Sequence, residues 1–233
     1  MAQTSADHER AAGGSGRGRI GRREPGGRYG LLLLVLILTY LLSAFTTGRA
    51  IIDLQLLLFL ALLLLALRTS RVRGRREWLA AGVALAGSVA ALGAALTGTQ
   101  VGDGVAAIWK GLILLLTVVL IVSRVLARPT VTVQSIYGAL SAYVLIGMMF
   151  ASFYAAIKYL GGGGFFTGGQ PANTQTFQYF SFSTLTTLGY GDFTSAVNGG
   201  RAVAVLEAMT GQIFLATLVA RLVSAYRSSP ADE

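Results

Sequence analysis

The sequence predicts an all-α membrane protein: six transmembrane helices, with a re-entrant helix and loop between the fifth and the sixth. Three observations lead there. Hydrophobic residues make up 54% of the 233 and charged residues only 12%, at a mean hydropathy of +0.64, whereas a soluble domain carries about a quarter charged residues. The apolar residues fall in runs close to the length that crosses a bilayer. The cations, finally, alternate between connections instead of spreading evenly. The chain has no cysteine, which excludes a disulfide framework, thiol redox chemistry and cysteine metal sites.

Residues 1–28 are rich in Gly and Arg and nearly devoid of large apolar side chains, so they cannot form a core. They read as a disordered, basic cytoplasmic tail. The charged stretch before "YGLLLLVLILTYLLSAF" mimics a signal peptide, but the apolar run continues to Thr47 and further spans follow at once. A first spanning helix is expected instead. The net charge of +9 would suit nucleic acid or an anionic membrane surface, but its placement favours topology. The tail is expected to be a solvated arm with no nucleic-acid partner, and His8 has no visible second ligand.

The expected spans are Tyr29–Thr47, Ala50–Leu67, Trp78–Leu96, Val105–Val125, Val131–Tyr159 and Val197–Val223. The first four make a four-helix region over 29–128. Asp53 and Gln55 open the second span, where both reach the interface. The third contains Gly82, Gly87 and Gly93, which makes it a poor autonomous helix but lets neighbours pack closely. The fifth exceeds the needed length and should tilt or protrude. With the N-terminus inside, fifteen cations fall on the inner segments and four, Arg49, Lys110, Lys158 and Arg201, on the outer ends. That bias places both termini in the cytoplasm of a multi-pass cell-membrane protein. The fourth span has Lys110 near one end and Arg124 near the other, with no charge between. Both can snorkel, and the span lacks the regularly spaced arginines of a voltage sensor.

Between spans five and six lie Leu160 to Ala196. "GGGGFFTGGQPANT" reads as a flexible outer loop. "NTQTFQYFSFSTLTT" then opens a short helix, capped by Asn173 or Thr174 and packed through Phe177, Tyr179, Phe180 and Phe182. Stopping midway, such a helix points its negative dipole end at the membrane centre, where it stabilises a cation. The return, "TLGYGD", alternates Gly189 and Gly191 with Tyr190, which suits a strand turning its carbonyls to one side. Leu188 and Tyr190 would anchor in surrounding protein, and Thr187 would add a hydroxyl oxygen. One strand supplies too few oxygens to replace a hydration shell, but four copies around an axis suffice. The loop is therefore built to strip and pass a cation, in a tetramer.

"TTLGYGD" resembles the selectivity filter of the potassium channel family, whose usual form is T-V-G-Y-G followed by Asp. The likeness runs from about Val131 to Val223: outer helix, pore helix, filter loop and inner helix, a pore domain over 129–227 with a short cytoplasmic tail at 228–233. It implies potassium ligation by the carbonyls of Thr187, Leu188, Gly189 and Tyr190, with a hydroxyl contribution from Thr187, an outer turn at Gly191 and Asp192 at the mouth. Tyr179 and Phe180 match the paired aromatics that brace the filter, and Thr186 precedes it as a further support. Ser183 stands where some members carry a carboxylate that bonds toward the mouth aspartate, and Leu188 replaces the usual valine. In the last span the inner-helix hinge matches Gly211. Gln212, Leu215, Val219 and Val223 follow on one helical face, which the resemblance assigns to the cavity.

Glu207 is the one acidic residue deep in that helix. It is either a proton-titrated site near the pore helix or a carboxylate bonded to the hydroxyls of Ser181, Ser183 or Thr184, and the second reading is preferred. No nucleophile–base pair or phosphate loop appears, so no enzymatic activity, cofactor or small-molecule substrate is expected beyond the permeant potassium. The expected function is passive, potassium-selective conduction by a homotetramer among membrane lipids, leak-like and not voltage-gated. The alternatives are a non-conducting or modulatory subunit and a potassium uptake transporter pore.

Overall fold

The computed structural model describes residues 28–45, 75–127 and 131–227. They form six helices: α1 Arg28–Phe45, α2 Arg75–Leu96, α3 Gln100–Leu126, α4 Val133–Gly161, α5 Thr174–Leu185 and α6 Asn198–Arg227. The expected second span, Ala50–Leu67, with Asp53 and Gln55, lies outside the described residues, as do both tails.

The expected six-span topology needs correcting. Among the described residues three helices are long and apolar enough to cross a membrane: Gln100–Leu126, Val133–Gly161 and the Asn198–Arg221 part of α6. The apolar parts of α1 and α2, Tyr29–Ser43 and Gly82–Leu96, are shorter than the ~20 residues a crossing needs. The expected re-entrant helix with a return strand is not seen either. After α5 the chain runs through turns and bends with no strand, and only an isolated bridge, Phe166 with Ser195, joins the flanking segments. Positive φ at Thr187, Gly189 and Gly191 interrupts any extended run there, because a strand needs negative φ throughout.

Local signals fix the ends of the long helices. Thr99 caps α3 by accepting the Gly102 N–H at 3.1 Å. Thr132 caps α4 in a reciprocal box with Ser135, and Gly162 ends that helix in the left-handed region at φ 70°, where a residue without Cβ carries no penalty. Thr132→Ala should lower stability by about 1 kcal/mol, measured by thermal unfolding in mild detergent. An unchanged midpoint would mean that the first turn has other acceptors.

The core lies between α3 and α4. Ile113, Leu114, Val118 and Ile121 of α3 are buried with Leu145, Ile146 and Met149 of α4 in one cluster. Small residues let the backbones approach: a Cβ on Gly111 would meet the Phe153 ring at 2.5 Å, and one on Gly138 would meet Val125 at 2.8 Å. Lys110 lines a small cavity with Ser152, Thr174 and Gln178, so it faces polar groups of α4 and α5. Helix α1 packs on α4 and α5, with Tyr40 edge-on to Phe182 at 4.9 Å between centroids and Ser43 hydrogen-bonded to the buried Gln178.

The connection before α5 departs from the flexible loop expected. Phe165 and Phe166 are buried in an aromatic cluster with Tyr154, Phe177, Phe180 and Phe193. Apolar burial there outweighs the freedom of the preceding glycines.

Candidate functional site around the GYGD segment

Helix α5 holds the segment from below. Asn173 caps it in a reciprocal box with Thr176, whose hydroxyl also donates to the Pro171 carbonyl at 2.7 Å. Of the two caps open from the sequence, the structure selects Asn173. Phe177, Gln178, Phe180, Ser181, Ser183 and Leu185 are buried, so the helix is gripped from its first turn to its last. Phe180 belongs to that buried face, whereas Tyr179 is half-buried against Phe193.

The helix ends at Thr186, whose N–H still bonds the Phe182 carbonyl at 3.0 Å. Thr187 then takes φ 58°, Gly189 57° and Gly191 79°. Among the described residues Thr187 is the one non-glycine with positive φ, a strain of about 1–3 kcal/mol that persists only where surroundings impose it. Three contacts do so. The Thr187 N–H bonds the Thr184 carbonyl at 3.0 Å, its hydroxyl donates to the Thr186 carbonyl at 2.7 Å, and Gln212 of α6 donates to that hydroxyl at 3.3 Å. Gln212 and Thr187, singled out separately in the sequence, thus meet. Ser183 contributes its backbone carbonyl, which accepts the Gly189 N–H at 3.2 Å.

Leu188 and Tyr190 do not find the anchorage expected of them within one chain: they are 55% and 69% exposed. Asp192 is tied to the outer connection, because Gln170 donates to its carbonyl at 2.6 Å. Hydrogen bonding to Asp192, with lesser effects of desolvation and nearby charge, pushes the Tyr179 phenol above its usual range. Thr167 and Thr194 pair through their hydroxyls at 2.6 Å, and Ala196 donates to the Phe165 carbonyl at 2.8 Å. The outer end of the segment is laced to a buried aromatic cluster.

Behind α5 sits Glu207, fully buried on α6. It accepts from the Tyr154 hydroxyl of α4 at 2.5 Å and from the Ser181 hydroxyl of α5, which also lies 2.6 Å from the Gly147 carbonyl. Of the hydroxyl partners the sequence offered, the structure selects Ser181. Tyr154 was missed; it is one of four tyrosines on α4, and the sequence gives no sign of which way it faces. Removing its hydroxyl leaves a buried acceptor short of a donor, so Tyr154→Phe should lower stability by about 1–3 kcal/mol, read by unfolding in detergent. A wild-type midpoint would show that the carboxylate has an alternative donor.

Gly211, expected as a hinge, lies inside an uninterrupted α6 and is buried. A Cβ there would run into the Leu185 carbonyl, so the residue permits close approach of α6 to the end of α5. The Leu185 carbonyl also accepts from the Tyr143 hydroxyl at 3.2 Å. Beyond it, Gln212, Leu215, Val219 and Val223 are exposed along α6. Among the described residues no group of three or more His, Asp or Glu is placed to hold a metal ion.

No curated protein matched the chain, and neither did any solved structure. One family model does match: residues 143–228, covering most of α4, all of α5, the GYGD segment and α6, fit the family described as "Ion channel". With three apolar, membrane-length helices among the described residues, the protein is a multi-pass membrane protein that carries an ion-channel domain over residues 143–228, which supports a general role in ion transport.

Proposed function

We propose that four copies of this chain surround a pore that conducts potassium passively, without voltage gating. The observation that carries this reading is the sign of φ along the segment, positive at alternate residues Thr187, Gly189 and Gly191. A β-strand turns successive peptide groups to opposite sides, whereas alternating the sign of φ brings successive carbonyls to one side. The carbonyls of Thr187, Leu188, Gly189 and Tyr190 are then the potassium ligands, with the Thr187 hydroxyl at the inner end. Gly191 makes the outer turn and Asp192 stands at the mouth. Rings of such oxygens replace the ion's water. The C-terminal end of α5, at Leu185, adds a negative dipole end below them. Residues 129–227 form the pore domain and 29–128 a membrane region beside it, with basic and short cytoplasmic tails at 1–28 and 228–233.

The tetramer follows from what a single chain leaves uncovered. Besides Leu188 and Tyr190, the α6 residues Val205, Leu206, Met209 and Ile213 are exposed, an apolar face that neighbouring copies would cover. Gln212, Leu215, Val219 and Val223 are assigned to the cavity. Leak-like behaviour follows from α3, whose Lys110 and Arg124 are too few and too far apart to sense a field.

Purified protein in liposomes should pass potassium and exclude sodium, and cross-linking in mild detergent should give four subunits. Equal sodium flux, or a conducting monomer, would overturn the reading.

A further inference from the structure

Lys110 opens onto a cavity of about 20 Å³ between α3, α4 and α5. That is room for one small ligand, since a water needs roughly 10–15 Å³. The polar wall consists of Lys110, Ser152 of α4, and Thr174 and Gln178 of α5, while Met148 and Phe177 line the rest. The Ser152 hydroxyl donates to the Met148 carbonyl at 2.9 Å. Gln178 is only 5% exposed, and its amide oxygen is taken by Ser43. That leaves the Gln178 amide N–H groups, the Thr174 hydroxyl and the Lys110 ammonium without an acceptor among the described residues. Thr174 is the first residue of α5, so the positive end of that helix borders the same space.

Everything unsatisfied around this cavity is thus a donor or a positive charge. A cation beside the positive end of a helix dipole is unfavourable, and buried donors without acceptors are costly. No nearby acid answers them. Asp103 stands two turns before Lys110 on α3, about 10 Å along the axis, and Glu207 is engaged behind α5 by Tyr154 and Ser181.

We infer that the cavity binds a single halide ion, chloride being the commonest, held by Lys110, the Gln178 amide and the Thr174 hydroxyl. Size and charge together select that occupant. Water fits, but it brings no charge against the ammonium, and its two lone pairs are fewer than the donors that face it. Phosphate and other polyatomic anions bring the charge but exceed the space. A halide accepts from every side at once and neutralises Lys110. Once bound, it joins α3 to the first turn of the helix that carries the GYGD segment. The site stands whichever ion the protein passes.

The test is thermal unfolding of the purified full-length protein in mild detergent, with chloride exchanged for gluconate at constant potassium. Chloride at about ten times its half-filling concentration should raise the wild-type midpoint by about 4 °C and then saturate. Bromide should act likewise and sulfate should not. Lys110→Met should lose the response. Gln178→Glu puts a carboxylate of the chain where the ion sits, so its midpoint should also be indifferent to chloride, which gives a reading even where Lys110→Met fails to fold. Crystals grown in bromide should show an anomalous peak beside Lys110. The proposal is overturned if wild type unfolds alike in chloride and gluconate, if sulfate matches chloride, or if either variant keeps the full response. A bromide crystal with no peak beside Lys110 overturns it as well.

Discussion

Gly189→Ala should reduce potassium flux in liposomes to the level of empty vesicles, or erase its preference over sodium, while the protein still folds and assembles. The two halves of this expectation rest on different features of one residue. A Cβ at Gly189 would find nothing closer than the Thr187 carbonyl at 4.0 Å, so no clash opposes it. The backbone conformation does, because φ is 57° and an L-residue in that region costs roughly 1–2 kcal/mol. That is too little to unfold a membrane protein but enough to turn one peptide group away from its neighbours. In a ring of four copies the error repeats around the axis, and the coordination that replaces hydration is lost. Reversal potentials in mixed potassium and sodium that match wild type would remove the ligand assignment. Loss of assembly instead of selectivity would place Gly189 among the structural glycines.

Gly211→Ala should act in the opposite way, through the fold first. The added methyl would overlap the Leu185 carbonyl and stand 3.0 Å from the Leu185 side chain. A backbone carbonyl already engaged by Tyr143 cannot step aside, so α6 must shift away from α5. Overpacking of this kind costs about 1–3 kcal/mol. Glu207, one turn earlier on the same helix face, would be carried away from Ser181. The expected order of detergent stability is glycine above alanine above valine. Gly199→Ala, where a Cβ meets nothing within 4 Å, serves as the neutral control. If Gly211→Ala matches that control, the close approach is not tight. If alanine is tolerated and only flux kinetics change, Gly211 is a hinge after all.

The parts of the fold that were legible in the sequence are those encoded locally. Long apolar runs marked α3, α4 and α6, and Asn173 with its neighbours marked the start of α5. A hydroxyl partner for Glu207 was legible as a group, Ser181, Ser183 or Thr184 of "SFST", and the structure selects Ser181 among them. What escaped depends on contacts between elements. Residues of Trp78–Leu96 and Tyr29–Thr47 carry the composition of spans, yet among the described residues their apolar stretches, Tyr29–Ser43 and Gly82–Leu96, are shorter than those of α3, α4 and α6. Phe165 and Phe166 stand beside four glycines that argue for a loose loop, and the facing aromatic cluster with backbone bonds to the segment around Ser195 and Ala196 holds them. The alternation of Gly189 and Gly191 was visible as spacing, but the positive φ at Thr187 was not, because threonine has no preference for that region and takes it under restraint from Thr184 and Gln212.

The contact between α1 and α5 bears on how the protein is dissected. A chain shortened to begin at 129, to isolate the last three helices, would strip away Tyr40 and Ser43. Gln178, which Ser43 now satisfies, would then turn an amide toward hydrocarbon, where unmet polar groups cost several kcal/mol. Phe182 would lose the ring that holds its edge, and both changes fall on the helix that carries the GYGD segment. The smallest autonomous piece of this protein therefore includes its first helix. Engineers who transplant the segment into another scaffold should bring a surrogate for Ser43, or replace Gln178 with an apolar residue of similar volume.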